Sequence, residues 1–111
     1  MSYVKNVTNT FLKNGYELSL LDTKCDKLSI CFVSIDGNRN NYCMLDQSTM
    51  FYYIIEGEGD FEINKEKIKV RKNDLVEIPP KNKYSYEGKI RMLEIQSQAF
   101  DEAEVHEIPK N

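Results

Sequence analysis

The apolar residues of this chain recur with a period of two, and turn-forming residues interrupt them at short intervals. That pattern leaves no room for a helix of ordinary length and points to half-buried strands. Phe61-Glu62-Ile63 and Lys67-Ile68-Lys69-Val70-Arg71 alternate apolar and polar side chains. Leu28 to Ile35 and Phe51 to Ile55 are instead nearly continuous apolar runs, rich in β-branched and aromatic residues. Such runs suit strands covered on both faces, as in a sandwich or a filled barrel.

Turn chemistry divides these runs. Glu56-Gly57-Glu58-Gly59, Asn64-Lys65-Glu66, Lys72-Asn73-Asp74, Pro79-Pro80-Lys81-Asn82-Lys83 and Glu87-Gly88-Lys89 are each expected to reverse the chain. Gly and Asn supply the positive φ of tight turns, and consecutive prolines cannot sit in a central ladder. Helical turns fit only near the ends, over Asn9 to Asn14 and Phe100 to Val105, with Pro109 stopping anything further. Short strands with regular turns predict an all-β sandwich or barrel. With 111 residues and no internal linker, residues 1–111 are expected to form a single domain.

Composition narrows the partners. A net charge of −3, with basic and acidic residues interleaved, argues against nucleic acid, whose phosphates demand clustered Lys and Arg. Lys65, Lys67, Lys69, Arg71 and Lys72 do cluster, but they read as the solvent face of a strand. No apolar run reaches the roughly 18–20 residues of a membrane span, and no secretory pattern opens the sequence. Cys25, Cys31 and Cys43 form no CxxC pair, which suits reduced thiols in a cytoplasmic protein. On that reading Asn6-Val7-Thr8 is a chance glycosylation sequon.

The stretch FYYIIEGEGDFEIN, followed by VRKNDLVEIPPKNKYSY, resembles the central half of a cupin domain. The corresponding pieces are Glu56-Gly57-Glu58-Gly59, Asn73-Asp74 and Ile78-Pro79-Pro80, and the likeness covers roughly residues 28–96. It implies a cupin-type double-stranded β-helix, a jelly-roll-like barrel. Cupin chemistry usually rests on an HxH pair, a following Glu and a later His that hold Fe, Mn, Ni or Zn. Here the pair falls on Cys43 and Leu45, the Glu on Met50 and the last His on Tyr84. A shift of one residue would place Met44 and Asp46 at the pair instead. Neither register offers the imidazole and carboxylate set that such metals need. No metal and no cofactor is expected.

Those replacements make the barrel mouth apolar, and alternation sends Tyr52 and Tyr86 to the face of Tyr84. Cys43, Leu45, Met50, Tyr52, Tyr84 and Tyr86 are therefore the candidate ligand-binding residues, or else simply the filling of a small barrel. The first functional reading is a metal-free module binding a small organic ligand. The second is a metal-free sugar isomerase or epimerase, with Tyr84 as acid and Glu94 or Glu77 as base. A homodimer is expected in addition, because the resemblance implies association through strands before the first motif, here Leu28 to Ile35. Cys43 reads as a small buried hydrophobe, His106 as a surface residue, and Arg91 as an exposed partner of Glu87 or Glu94. Asp101, Glu102 and Glu104 read as a solvated tail able to fold over the barrel through Phe100 and Val105.

Overall fold

The computed structural model describes residues 3–13 and 15–110. It is built from nine strands: β1 (Val7–Lys13), β2 (Tyr16–Leu21), β3 (Ser29–Asn38), β4 (Asn41–Leu45), β5 (Met50–Ile63), β6 (Glu66–Arg71), β7 (Leu75–Ile78), β8 (Tyr84–Gln96) and β9 (Val105–Pro109). All pairings are antiparallel and run in the order β1-β2-β3-β8-β4-β9, with β5 joined to β6, β7 and β8. The two long strands organise the rest. β8 carries β3 and then β4 on one side and β5 on the other, and β5 carries β7 and β6 on its free side.

Alternation decides which side chains enter the curl of this sheet. Met50, Tyr52 and Ile54 of β5 are buried with Tyr84, Tyr86, Ile90 and Met92 of β8, Val33 and Ile35 of β3, and Cys43 and Leu45 of β4. The continuous apolar runs do not carry two equally buried faces. In β5 the intervening Tyr53 is 39% exposed, and in β3 Ile30 and Phe32 are half-buried.

Two expected turns are absent because their glycines lie inside strands. Glu56 to Gly59 belongs to β5, which passes through a bulge between Ile54 and Glu56, and Glu87 to Lys89 lies within β8. Gly88 pairs with Gly37 on one side and Gly59 on the other, a row of three glycines across β3, β8 and β5. Gly88 adopts φ 127°, and a Cβ on Gly59 would lie 2.1 Å from the Glu87 carbonyl oxygen. The missing side chains let the strands coil tightly here, the usual reason for glycine inside a strand. The other three expected turns occur where positive φ falls on Asn64, Lys65, Asn73 and Lys81.

The termini also differ from expectation. Asn9 to Lys13 are strand rather than helix, and Asn14, the end of that expected turn, lies outside the described residues. Near the other end only Glu102–Glu104 form a 3₁₀ turn, capped by the Asp101 side chain. Glu104 is not solvated. It is 5% exposed, and its carboxylate accepts from the backbone N–H groups of Gln47 and Ser48, from Ser48 Oγ (2.9 Å), and from the Gln98 amide. These bonds staple the last segment to the β4–β5 connection and deliver β9 to the edge of β4.

Candidate functional site

All six candidate residues point into the barrel, each 5% exposed or less. Cys43 and Leu45 come from β4, Met50 and Tyr52 from β5, and Tyr84 and Tyr86 from β8. The rings form one cluster: Tyr52 lies 5.8 Å from Tyr84, 5.5 Å from Tyr86 and 5.3 Å from Phe61, centroid to centroid. The tilted and edge-on angles are those that aromatic quadrupoles favour.

A line of hydrogen bonds runs through this cluster. Strand register sets Cys31, Glu94 and Tyr52 side by side on the inner face of β3, β8 and β5. The Tyr52 hydroxyl donates to Glu94 Oε1 at 2.8 Å and shares a 2.7 Å hydrogen bond with the Tyr84 hydroxyl. The Cys31 thiol lies beside the same carboxylate, and Cys43 lies opposite Tyr84 on β4, each close enough to interact with that neighbour. Glu94 is half-buried, whereas the phenols behind it are closed off from solvent. Burial raises its pKa above the ordinary carboxylate value, with the Tyr52 hydrogen bond opposing. Burial also raises Tyr52 and Tyr84 well above an ordinary phenol, pushes Cys43 up to about 11, and pushes Cys31 up to about 12. The phenols and thiols are thus held protonated, and Glu94 is the most acidic group of this line.

Sequence reasoning missed a second polar group, centred on Arg39. Its side chain is 3% exposed and lies over the Tyr16 ring at 4.9 Å and the Tyr86 ring at 5.8 Å. Glu107 of β9 takes both terminal nitrogens, at 3.0 Å and 2.9 Å, and the Asn41 carbonyl accepts from Nη1 at 2.8 Å. Burial alone would lower the Arg39 pKa, but the Glu107 hydrogen bonds more than offset it, and the guanidinium stays charged. In the sequence Arg39 sits in the polar run Gly37-Asn38-Arg39-Asn40-Asn41, which reads as a solvated loop, and its carboxylate partner is 68 residues away.

Other candidates lie elsewhere. Glu77 is exposed and takes no part in the interior, so of the two candidate carboxylates only Glu94 lies with Tyr52 and Tyr84. Arg91 faces outward and pairs with Glu56 at 3.7 Å, not with Glu87 or Glu94. His106, although it lies beside Met44 in the β4–β9 pairing, turns outward to Asp46 at 2.9 Å. The cysteines are free thiols, Cys25 exposed and Cys31 and Cys43 buried.

The four positions where a cupin would ligate a metal do not fit one. Leu45 has no donor atom, Met50 offers a soft thioether, and Tyr84 is engaged by Tyr52, which leaves Cys43 as a single thiol donor. Among the described residues no three His, Cys, Asp or Glu side chains gather as a metal site. Nor is any helix among them long and apolar enough to cross a membrane.

Strand order and inward-facing set together define a cupin-type β-barrel whose usual metal-ligand positions hold Cys, Leu, Met and Tyr. Solved structures carry the same fold. Pac13, described as a unique nucleoside dehydratase, superposes with a TM-score of 0.94 at 23% identity, over 98% of this chain and 92% of its own. A histidine-to-glutamine variant of Streptomyces Pac13 with uridine gives 0.93 at 24%, over 97% of this chain and 92% of its own. The cupin domain of Schizosaccharomyces pombe Cnp3 gives 0.68 at 16%, over 82% of this chain and 69% of its own. No protein-family model and no curated protein matches the chain in sequence.

Proposed function

We propose that this chain binds a small nucleoside-like molecule in its barrel and moves a proton on it through Glu94, without a metal. The observation that carries this reading is the hydrogen-bonded line Glu94–Tyr52–Tyr84, in which a carboxyl group sits directly against two buried phenols on the inner face of the sheet. A carboxyl group whose pKa is raised by burial is a better proton carrier than an ordinary carboxylate, and neighbouring phenols hold it and the substrate oxygen in place. The ionised carboxylate would take a proton from a carbon next to a carbonyl. Returning that proton to an adjacent carbon gives isomerisation, and returning a proton to the same carbon from the opposite face gives epimerisation. Delivering it to a departing hydroxide, as the C–O bond breaks and a C=C bond forms, gives dehydration.

The class of ligand draws its support from Pac13, a nucleoside dehydratase whose variants were solved with uridine. The test is calorimetric titration of uridine into the wild type, Glu94→Gln and Tyr52→Phe, followed by incubation with nucleosides oxidised at the sugar. Saturable binding that weakens in both variants, and turnover that vanishes in Glu94→Gln, are expected. Wild-type protein that binds no uridine would overturn the ligand class.

A non-catalytic binding module is the second reading. It is favoured by the mutual hydrogen bond of Tyr52 and Tyr84, which leaves neither phenol free to act as an acid on a substrate. Uridine binding with no conversion of any nucleoside would select it.

A further inference from the structure

Arg39 has one polar atom without a partner. A guanidinium offers two donor edges, an end formed by its terminal nitrogens and a side formed by Nε–H and one terminal N–H. Glu107 occupies the end edge. On the side edge Nη2 reaches the Tyr16 hydroxyl at a long 3.4 Å, the Tyr86 phenol also interacts with the guanidinium, and the buried Nε–H finds no acceptor in hydrogen-bond geometry among the described residues. An unmet buried donor in a charged group is costly, and in native proteins it calls for an explanation. Its surroundings are the rings of Tyr16 and Tyr86, and the Tyr86 ring also packs on Tyr52, the centre of the proton-carrying line. The Arg39 backbone is fixed by its N–H to the Tyr86 carbonyl at 3.0 Å and by Lys110 Nζ on its carbonyl at 2.7 Å, and Glu107 anchors the guanidinium.

We propose that this side edge is the recognition element for an uncharged oxygen of the ligand, a carbonyl or hydroxyl, and that it discriminates against phosphate and carboxylate. Charge decides the class. The Arg39 positive charge is already matched by Glu107 through a bidentate pair, so an incoming anion would gain a donor without gaining a free cation. It would also meet Glu94 on the same inner surface. A neutral acceptor meets no such repulsion and satisfies Nε–H. The inference rests on the reading of the barrel as a nucleoside-type site and adds which part of the ligand is read and by what.

The test uses the intact chain, with uridine and uridine 5′-monophosphate as probes. The wild type is expected to bind uridine at least about tenfold more tightly than the monophosphate. Arg39→Lys keeps the charge facing Glu107 but has no side edge. It is expected to lose about ten- to a hundredfold in uridine affinity, the range for a hydrogen bond to a charged group. The Arg39 Nε–H resonance of the wild type, followed by ¹⁵N NMR, is expected to move downfield on saturation with uridine, a readout independent of any variant's folding. Unchanged uridine affinity in Arg39→Lys, an unmoved Nε–H signal, or tighter binding of the monophosphate would each overturn the proposal. If uridine binding still depends on Glu94 in those cases, the barrel reading survives and only the role of Arg39 falls. If the wild type binds neither probe, both fall together.

Discussion

A carboxyl group that shares a barrel interior with tyrosines must either lose its charge or be held by donors, and Glu94 does some of each. Its folded-state pKa is raised by burial, so the native chain keeps the proton to a higher pH than the unfolded chain. Between the two values the unfolded state is ionised and the native state is not, and stability falls as pH rises through that window. Glu94→Gln is expected to abolish this fall, measured as urea midpoints from about pH 4 to about pH 8. Glu104 behaves in the opposite sense. Burial tends to raise its pKa, but hydrogen bonds from Ser48, Gln47 and Gln98 outweigh this and lower it, so its contribution is present above the unfolded value and lost as pH falls. Glu104→Gln is expected to cost about 1.5–3 kcal/mol at neutral pH, since it replaces a charged acceptor of several hydrogen bonds, and to flatten the acid limb. An unchanged acid limb would remove Glu104 from this role. The six interior positions were legible because side-chain period two fixes which residues face inward once one is placed. Arg39 and Glu107 were not, because each looks solvated locally and only the folded β9 brings them together.

At the scale of the strand, the turns that could be read were those where Asn and Pro dictate the backbone: Asn64-Lys65, Asn73 and the segment after Pro79-Pro80. Gly57, Gly59 and Gly88 misled, because glycine serves equally well to reverse a chain and to let two strands pass closely. Only the pairing of Gly88 with Gly37 and Gly59 distinguishes the uses, and such pairing is a non-local fact. Gly59→Ala places a Cβ against the Glu87 carbonyl and is expected to destabilise the protein by about 1–3 kcal/mol, as overpacking does. Denaturant unfolding checks this, and a neutral substitution would mean the strands can separate there without loss. His106 teaches a related lesson. Distance in sequence from the cupin-like stretch did not keep it from β4, and its outward orientation is what excludes it from the interior.

For the molecule as a whole, β8 is the organising element, since it meets β3, β4 and β5. A sheet so dependent on non-local pairing offers little that is stable in isolation. Residues 1–111 are accordingly proposed to act as one cooperative unit. Unfolding followed by far-ultraviolet dichroism and by tyrosine fluorescence is expected to give coincident transitions, and two separated transitions would refute it. The fold class was legible from alternation, turns and the cupin-like stretch together, because each constrains the same strand order. The hydrogen-bonded line was only half legible: Tyr52, Tyr84 and Glu94 were candidates, but their mutual contacts depend on curvature that no sequence pattern states.

The most direct test of the account is a ¹³C NMR titration of the Glu94 side-chain carboxyl against pH, with and without uridine. The account predicts an apparent pKa above the ordinary carboxylate value of about 4.3 in the free protein, and a further displacement of that value when uridine is bound. A Glu94 carboxyl that titrates at or below the ordinary value, and does so identically in the presence of uridine, would contradict the claim that it carries the proton in this barrel.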